Sequence, residues 1–350
     1  MNLLELFKEY YQPAVFSFGL CVLLVFYALR LYPKWGLMDR PQKYGLNRSP
    51  IPYYGGLVIF LAFVISVLVF VPLSKGLVAL LLGGLLITFI GFFDDFYSLS
   101  PWVRLFVQFL ACILIIFGGV GILSINLPFL GSVNFTFWSF KGIFIASAIF
   151  TILWVMSIVN TMNFIDGVSG LSSGVGFIAG MTLFFLSTNP IINQDLAAQA
   201  PVAMISLVLA MVSLAFLIFD FPKPKILMGD TGSTFLGFVI ASLAIFSGGK
   251  VATAFLVLGL PILDMLWVIF RRLFAGQKIW KGDLKHLHHR LLDFGLSDRK
   301  VVVLYLLITA IFGFGAVLLV SSQQKFFMMI ALSALMLLLA IALVFSPRKN

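Results

Sequence analysis

The sequence predicts an all-α polytopic integral membrane protein with about eleven (10–11) transmembrane helices. Three observations carry this. Of 350 residues, 61% are hydrophobic and only 10% charged, whereas a soluble domain carries about 25% charged residues. The apolar residues form long runs, and a spanning helix needs roughly 17–25 of them. The runs are uniformly apolar rather than alternating, which fits helices and not a β-barrel. No soluble core hides so much apolar surface, so a soluble dinucleotide-binding enzyme, a disordered chain and a disulfide-stapled fold are excluded. Cys21 and Cys112 both sit inside apolar runs, which argues against a disulfide framework. The opening MNLLELFKEYY lacks a basic leader and a small-residue cleavage site, so no removable signal peptide is expected.

In order, the spans are about 14–31, 55–71, 77–93, 105–122, 142–160, 170–187, 201–219, 233–247, 251–270, 301–320 and 326–345. The eighth is the shortest. An odd number puts the termini on opposite faces. All but five of the 23 Lys and Arg residues (Lys8, Lys75, Lys141, Lys250 and Lys325) then fall on one side. The positive-inside rule makes that side cytoplasmic, with the N-terminus outside and the C-terminus inside. This placement also accounts for the net charge of +10 without a nucleic-acid partner. Of the acids, only Glu5, Glu9 and Asp195 fall outside, so the chemistry belongs to the cytoplasmic face. No internal repeat or soluble domain is apparent. Residues 1–350 read as one transmembrane domain, with motifs in cytoplasmic loops at about 32–54, 94–104, 160–170, 220–232 and 271–300.

Each of these loops carries distinctive residues. Between the first two spans, MDRPQKYGLNRSPIPYYGG ends in Gly55-Gly56, which lets backbone approach a neighbour. It also supplies Arg48, either a phosphate-binding guanidinium or a contact to anionic lipid. GFFDDFYSLSP closes the third span with Asp94 and Asp95, where the helix macrodipole disfavours negative charge by about 0.3–1 kcal/mol. A divalent metal or a basic side chain should compensate; the plainer alternative is a solvated aspartate paired with Arg104.

NTMNFIDGVSGLSSG joins the fifth and sixth spans. Asn160, Asn163 and Asp166 recur every three residues and share a face if the helix continues that far. Glycines 167, 170 and 174 leave backbone N–H groups open to a phosphate, unless Asp166 or Ser169 is an N-cap and the small residues serve packing. KPKILMGDTGSTFLGF enters the eighth span with Asp230, either a cap or a hard-metal ligand beside a phosphate-binding helix start.

The longest loop contains KHLHHRLLDFG, which holds all three histidines, His286, His288 and His289, followed by Arg290. Without a Cys partner or an i, i+4 pair, zinc is disfavoured. Cationic or hydrogen-bonding recognition of phosphate, with Lys285 nearby, fits better. Asp264, inside the ninth span and about 10 Å along the helix from Arg271, reads as a structural partner for a basic or backbone group. Together these residues suit Mg²⁺-assisted chemistry on a diphosphate with a membrane-resident partner.

FFDDFYSLSP, NTMNFIDG, MGDTGS and HLHHRL, in this order across the spans, resemble the polyprenyl-phosphate N-acetylhexosamine-1-phosphate transferases (MraY–WecA–TagO-like) over about residues 36–295. HLHHRL resembles the WecA/TagO branch more than the muramyl-pentapeptide branch. The resemblance implies transfer of an N-acetylhexosamine-1-phosphate, foremost GlcNAc-1-phosphate, from a UDP-sugar to undecaprenyl phosphate with release of UMP. It implies Mg²⁺ (or Mn²⁺) as cofactor and the bacterial inner (cytoplasmic) membrane as location, at the first membrane step of cell-envelope polysaccharide synthesis.

By the same resemblance, Asp94, Asp95, Asp166 and Asp230 form the catalytic set. Asp230, Asn163 and Asp166 line the metal site, and Asn160 opens their motif. One of Asp94 and Asp95 deprotonates or positions the lipid phosphate. His286, His288, His289 and Arg290 match the cluster assigned to the donor's phosphates and sugar, and Arg48 falls near the nucleotide. A direct displacement is expected, with a covalent aspartate intermediate as the alternative.

Three positions depart from the family pattern. Ser169 replaces a carboxylate in DGVSGL, Asp220 stands where asparagine is common, and Leu227 stands where an aromatic stacks on uracil. Losing that stacking costs about 0.5–1.5 kcal/mol. All three bear on nucleoside recognition, so the expectation is retained catalysis with a modified donor pocket. UDP-MurNAc-pentapeptide or a modified hexosamine remains an alternative donor. A transporter or lipid flippase would place acids at midplane, whereas these cluster at one interface; a catalytically silent paralogue is the remaining rival. The expected partners are the two substrates and the bilayer. The Phe-rich spans leave a homodimer open.

Overall fold

The computed structural model describes residues 3–44, 48–129, 131–193, 195–247, 251–274, 276, 286–319 and 321–345. Lys285 therefore lies outside the described residues. The helices are α1 (Leu3–Trp35), α2 (Gly55–Phe70), α3 (Lys75–Tyr97), α4 (Pro101–Phe117), α5 (Ile145–Ile165), α6 (Leu171–Thr188) and α7 (Leu196–Asp220). They continue with α8 (Asp230–Phe246), α9 (Val251–Val257), α10 (Gly259–Phe274), α11 (Leu287–Asp293), α12 (Asp298–Leu318) and α13 (Ser322–Phe345).

Among the described residues, seven helices are long and apolar enough to cross a membrane: α1, α3, α5, α6, α7, α12 and α13. Three shorter apolar helices, α2, α4 and α8, and the bent pair α9–α10 account for the remaining predicted segments. The fold is the all-α polytopic one expected. The ninth segment departs from a single continuous span, because α9 and α10 meet at 80°. Pro261 explains the break: it has no N–H to bond back into α9, and its ring crowds the carbonyl four residues earlier. Two elements went unforeseen. The α4–α5 loop folds into two small hairpins, β1 (Ser124–Leu127) with β2 (Gly131–Asn134) and β3 (Ser139–Phe140) with β4 (Ile143–Phe144), and the histidine segment forms the short helix α11.

Local chemistry sets several helix starts. Ser74 Oγ accepts the Leu77 N–H, and Asp195 Oδ1 accepts the Ala198 N–H, each satisfying a donor that the helix itself leaves free. Pro101 opens α4, where its missing N–H costs nothing. α6 and α7 are mostly buried, while α1 and α13 are mostly exposed, so the core lies among α5 to α8 with apolar surface around it.

The loop after α1 folds back as a clasp. Tyr53 N–H donates to Leu37 O and Asp39 N–H to Ile51 O. Leu227 N–H donates to Pro52 O, while Gly55 and Gly56 N–H donate to Leu227 O and Met228 O. Here the expected close approach of Gly55-Gly56 is realised: a Cβ on Gly56 would overlap the Gly232 backbone nitrogen, and one on Gly91 would lie 2.7 Å from Thr231 Cα. The start of α8 is thus wedged between α2 and α3 by glycines. Gly56→Ala is expected to destabilise the protein by about 1–3 kcal/mol and to displace Asp230. Thermal unfolding in detergent checks this, with Gly19→Ala, whose added methyl meets nothing within 4 Å, as the unaffected control.

Candidate active site

The site forms where α3 and α5 end and α4 and α8 begin. Helix α8 starts at Gly229 in a positive-φ conformation (73°) with no side-chain cap of its own. Its cap comes from α3. Asp95 Oδ1 accepts the Asp230 N–H at 2.9 Å, and Oδ2 accepts the Thr231 N–H at 3.0 Å and the Thr231 hydroxyl at 2.5 Å. The Tyr53 hydroxyl donates to Oδ1 at 3.1 Å. Burial, with the Asp95 charge adding to it, pushes the Tyr53 phenol well above its usual range, so it stays a donor. The compensation foreseen for Asp95 is therefore the positive end of another helix.

Asp94 points elsewhere. Its Oδ1 accepts the Leu99 N–H at 2.7 Å, and its Oδ2 pairs with Arg104 at 2.8 Å. Arg104 also reaches Asp230 Oδ2 at 3.4 Å. The Asp94–Arg104 pairing is the one the plainer alternative named, except that Asp94 is only 8% exposed rather than solvated. One turn along α4, Gln108 accepts from Asn160 Nδ2 at 2.8 Å, and Asn163 Nδ2 donates to Ser233 Oγ at 3.3 Å. Helix α5 does continue to Ile165, so Asn160 and Asn163 are helical and Asp166 follows as its C-cap residue. Burial, reinforced by the charges of Asp220, Asp230 and Asp95, pushes the Asp166 carboxyl well above the usual carboxylate range.

Several expectations change. Several of the N–H groups foreseen as open at the starts of α6 and α8 are already taken: those of Asp230 and Thr231 by Asp95, that of Gly170 by Asp220 at 2.8 Å, and that of Gly174 by the Gly170 carbonyl. Asp166 and Ser169 are not the N-cap of α6, which is Gly170 at φ 89°. Asp220, expected at the nucleoside, is 2% exposed and also accepts from the Ser173 hydroxyl at 2.8 Å; it braces the turn into α6. Leu227 and Ser169 are half-buried, with Leu227 backbone-paired to Pro52 and Gly55. Arg48 is not brought to the aspartates: its guanidinium closes on Asp39 Oδ2 at 2.6 Å and on the Ser49 carbonyl.

The histidines pack against the turn after α5. His286 and His288 run parallel at 5.7 Å, and His288 and His289 lie 4.2 Å apart. A Cβ on Gly167 would come within 2.8 Å of His288 Nε2 and 3.3 Å of His289 Nε2, which explains why glycine follows Asp166. Burial, with the neighbouring imidazoles adding, pushes His288 down to about 3. It is therefore neutral, and of the cationic and hydrogen-bonding roles foreseen it keeps only the second. Asp264 finds the backbone and basic partners expected of it, at Leu287 N and His286 Nδ1. Tyr53, Thr231, Ser233 and Gln108 join the centre unannounced by the sequence, and Arg104 was expected only as a charge partner. Tyr53 and Thr231 stand inside the noted motifs, whereas Gln108 carried no signal beyond being an amide in an apolar run.

The residues fit a magnesium ion. Among the described residues no three Asp, Glu, His or Cys side chains form a cage. Mg²⁺ needs only one or two carboxylates, completing its shell with water and phosphate oxygens. The Asp230 side chain is 33% exposed and shares its electrostatic surroundings with Asp94, Asp95 and Asn163, an excess of negative charge that suits a divalent cation.

A carboxylate, guanidinium and amide centre at the helix ends of a many-helix membrane protein suits the class that binds phosphate groups. Comparison with known proteins makes the class specific. The profile of glycosyl transferase family 4 matches residues 77–248. The chain is 33% identical over 300 residues to a probable undecaprenyl-phosphate N-acetylglucosaminyl 1-phosphate transferase of Bacillus subtilis (strain 168), covering 84% of this chain and 80% of that protein. It is 33% identical to a decaprenyl-phosphate N-acetylglucosaminephosphotransferase of Mycobacterium leprae (79% and 75% covered). To an undecaprenyl-phosphate alpha-N-acetylglucosaminyl 1-phosphate transferase of Escherichia coli (strain K12) it is 28% identical (89% and 83% covered). The chain belongs to glycosyl transferase family 4.

Proposed function

We propose that this protein transfers GlcNAc-1-phosphate from UDP-GlcNAc to undecaprenyl phosphate, releasing UMP, at the cytoplasmic face of a bacterial inner membrane. The observation that carries the reading is the Asp94–Arg104–Asp230 bridge beside Asn163 and Asp166, in a chain whose relatives are named for this transfer. The bias of basic residues toward one set of loops supports the orientation.

Asp230, with Asn163 and Asp166, would hold Mg²⁺, which when bound supplies charge neutralisation for the donor diphosphate. Arg104, a third exposed, adds a guanidinium suited to phosphate oxygens. The acceptor is a phosphate monoester, carrying about −1.5 to −2 charge near neutrality, and so requires positioning more than deprotonation. Asp94, with both oxygens engaged, serves that by holding Arg104. An acceptor oxygen attacks the β-phosphorus, the bond from that phosphorus to the bridging oxygen breaks, and UMP leaves with the electron pair. On the family resemblance, His286, His289 and Arg290 are assigned to the donor's phosphates and sugar.

The test is UMP release by detergent-purified protein given undecaprenyl phosphate, Mg²⁺ and a panel of UDP-N-acetylhexosamines. Release with UDP-GlcNAc, abolished by chelation, is the expected result. Silence with every donor, from protein that still binds lipid phosphate, would sink it. UMP released without acceptor would indicate a covalent aspartate route.

A further inference from the structure

We infer that Asp264 is a positioning residue that acts through His286, fixing which ring nitrogen carries the proton. Asp264 lies within α10 and is 1% exposed. Its Oδ1 accepts the backbone N–H of Leu287, the first residue of α11, at 2.8 Å. Its Oδ2 lies 3.2 Å from His286 Nδ1. A carboxylate only accepts, so Nδ1 holds the hydrogen and Nε2 is left as the nitrogen available to a ligand. The ring plane is set independently. Phe164 of α5 lies against it at 5.5 Å, and His288 is parallel within 4°. Phe164 adjoins Asn163, and His288 abuts Gly167 next to Asp166, so the ring is tied to the segment that carries the amide and carboxylate of the site.

A purely structural tie between α10 and α11 would need only the bond to Leu287. The second bond acts on the ring itself, from a carboxylate buried within an apolar helix, where such groups are costly unless they serve a purpose. The inference rests on the phosphotransfer reading for its effect on rate, but not for its first readout.

The protein has three histidines, so ¹⁵N-histidine labelling reports three rings, with His286→Gln assigning one. Asp264→Asn is nearly isosteric. Its carbonyl can still accept from Leu287, while its NH₂ faces Nδ1 as a donor and moves the ring proton to Nε2. The expected spectrum shows Nδ1–H for His286 in the parent and Nε2–H in the variant. The unfolding temperature should stay near the parent's. Turnover (kcat) should fall by about 10² to 10⁴-fold, with KM for undecaprenyl phosphate little changed and partial rescue by Asp264→Glu. A ring that does not change, or one that changes with kcat intact, overturns the inference. Should the asparagine variant fail to fold, an Nε2–H ring in the parent overturns it equally. A parent that releases no UMP with any donor refutes the reaction, while the spectrum still decides the ring.

Discussion

Asp230→Asn will leave the fold as stable as the parent, or more so, while lowering UMP release by about three orders of magnitude, the effect of losing roughly 4 kcal/mol of charge stabilisation. The two halves of this expectation come from different contacts. The helix that Asp230 begins is capped through its backbone N–H, not its side chain, and an asparagine keeps that backbone bond. Its carboxylate is partly exposed, meets Arg104 at 3.4 Å, and is crowded by the charges of Asp95 and Asp94. Removing one negative charge from such a group relieves repulsion. Thermal unfolding and UMP release on the same preparation test it. Turnover within tenfold of the parent would overturn the proposed role of Asp230 as the metal ligand.

Asp95→Ala will do the reverse and act first on stability, lowering it by about 3–5 kcal/mol whatever the substrate. Four donors converge on this carboxylate: the N–H groups of Asp230 and Thr231 and the hydroxyls of Thr231 and Tyr53. Deleting it strands them in a half-buried place, where each unsatisfied group costs about 1–3 kcal/mol, offset where water enters. Asp95→Asn, with one accepting oxygen instead of two, should fall between. Unfolding temperature in detergent or nanodiscs is the measurement. A variant that keeps its melting point but loses turnover would return Asp95 to the chemistry and leave the α8 cap unexplained.

This contrast marks what was legible in the sequence. The helices were, because uniform apolar runs have no other stable form in lipid. The motif residues were too, as types suited to phosphate and metal. What the string hid was which partner each residue takes. Asp94 and Asp95 are adjacent in sequence, but successive residues on a helix point about 100° apart, so one meets Arg104 and the other the start of α8. Gly170 and the start of α8 read as open anion seats, because the aspartates that fill those starts come from α7 and α3. The α9–α10 break follows from Pro261, but its 80° size depends on packing that no local pattern records.

Three aspartates share one device: Asp95 serves the start of α8, Asp220 that of α6 and Asp264 that of α11. These ties have an order in time. Asp220 closes onto a turn 50 residues already made, and Asp264 waits for a segment 23 residues ahead. Asp95 must wait 135 residues for α8, with α4 to α7 synthesised in between. During that interval the ribosome and the insertion machinery carry a chain whose third helix ends in a carboxylate with only one of its four eventual donors, the Tyr53 hydroxyl, already synthesised. The centre can therefore be completed only once α8 has been synthesised and its first N–H groups reach Asp95.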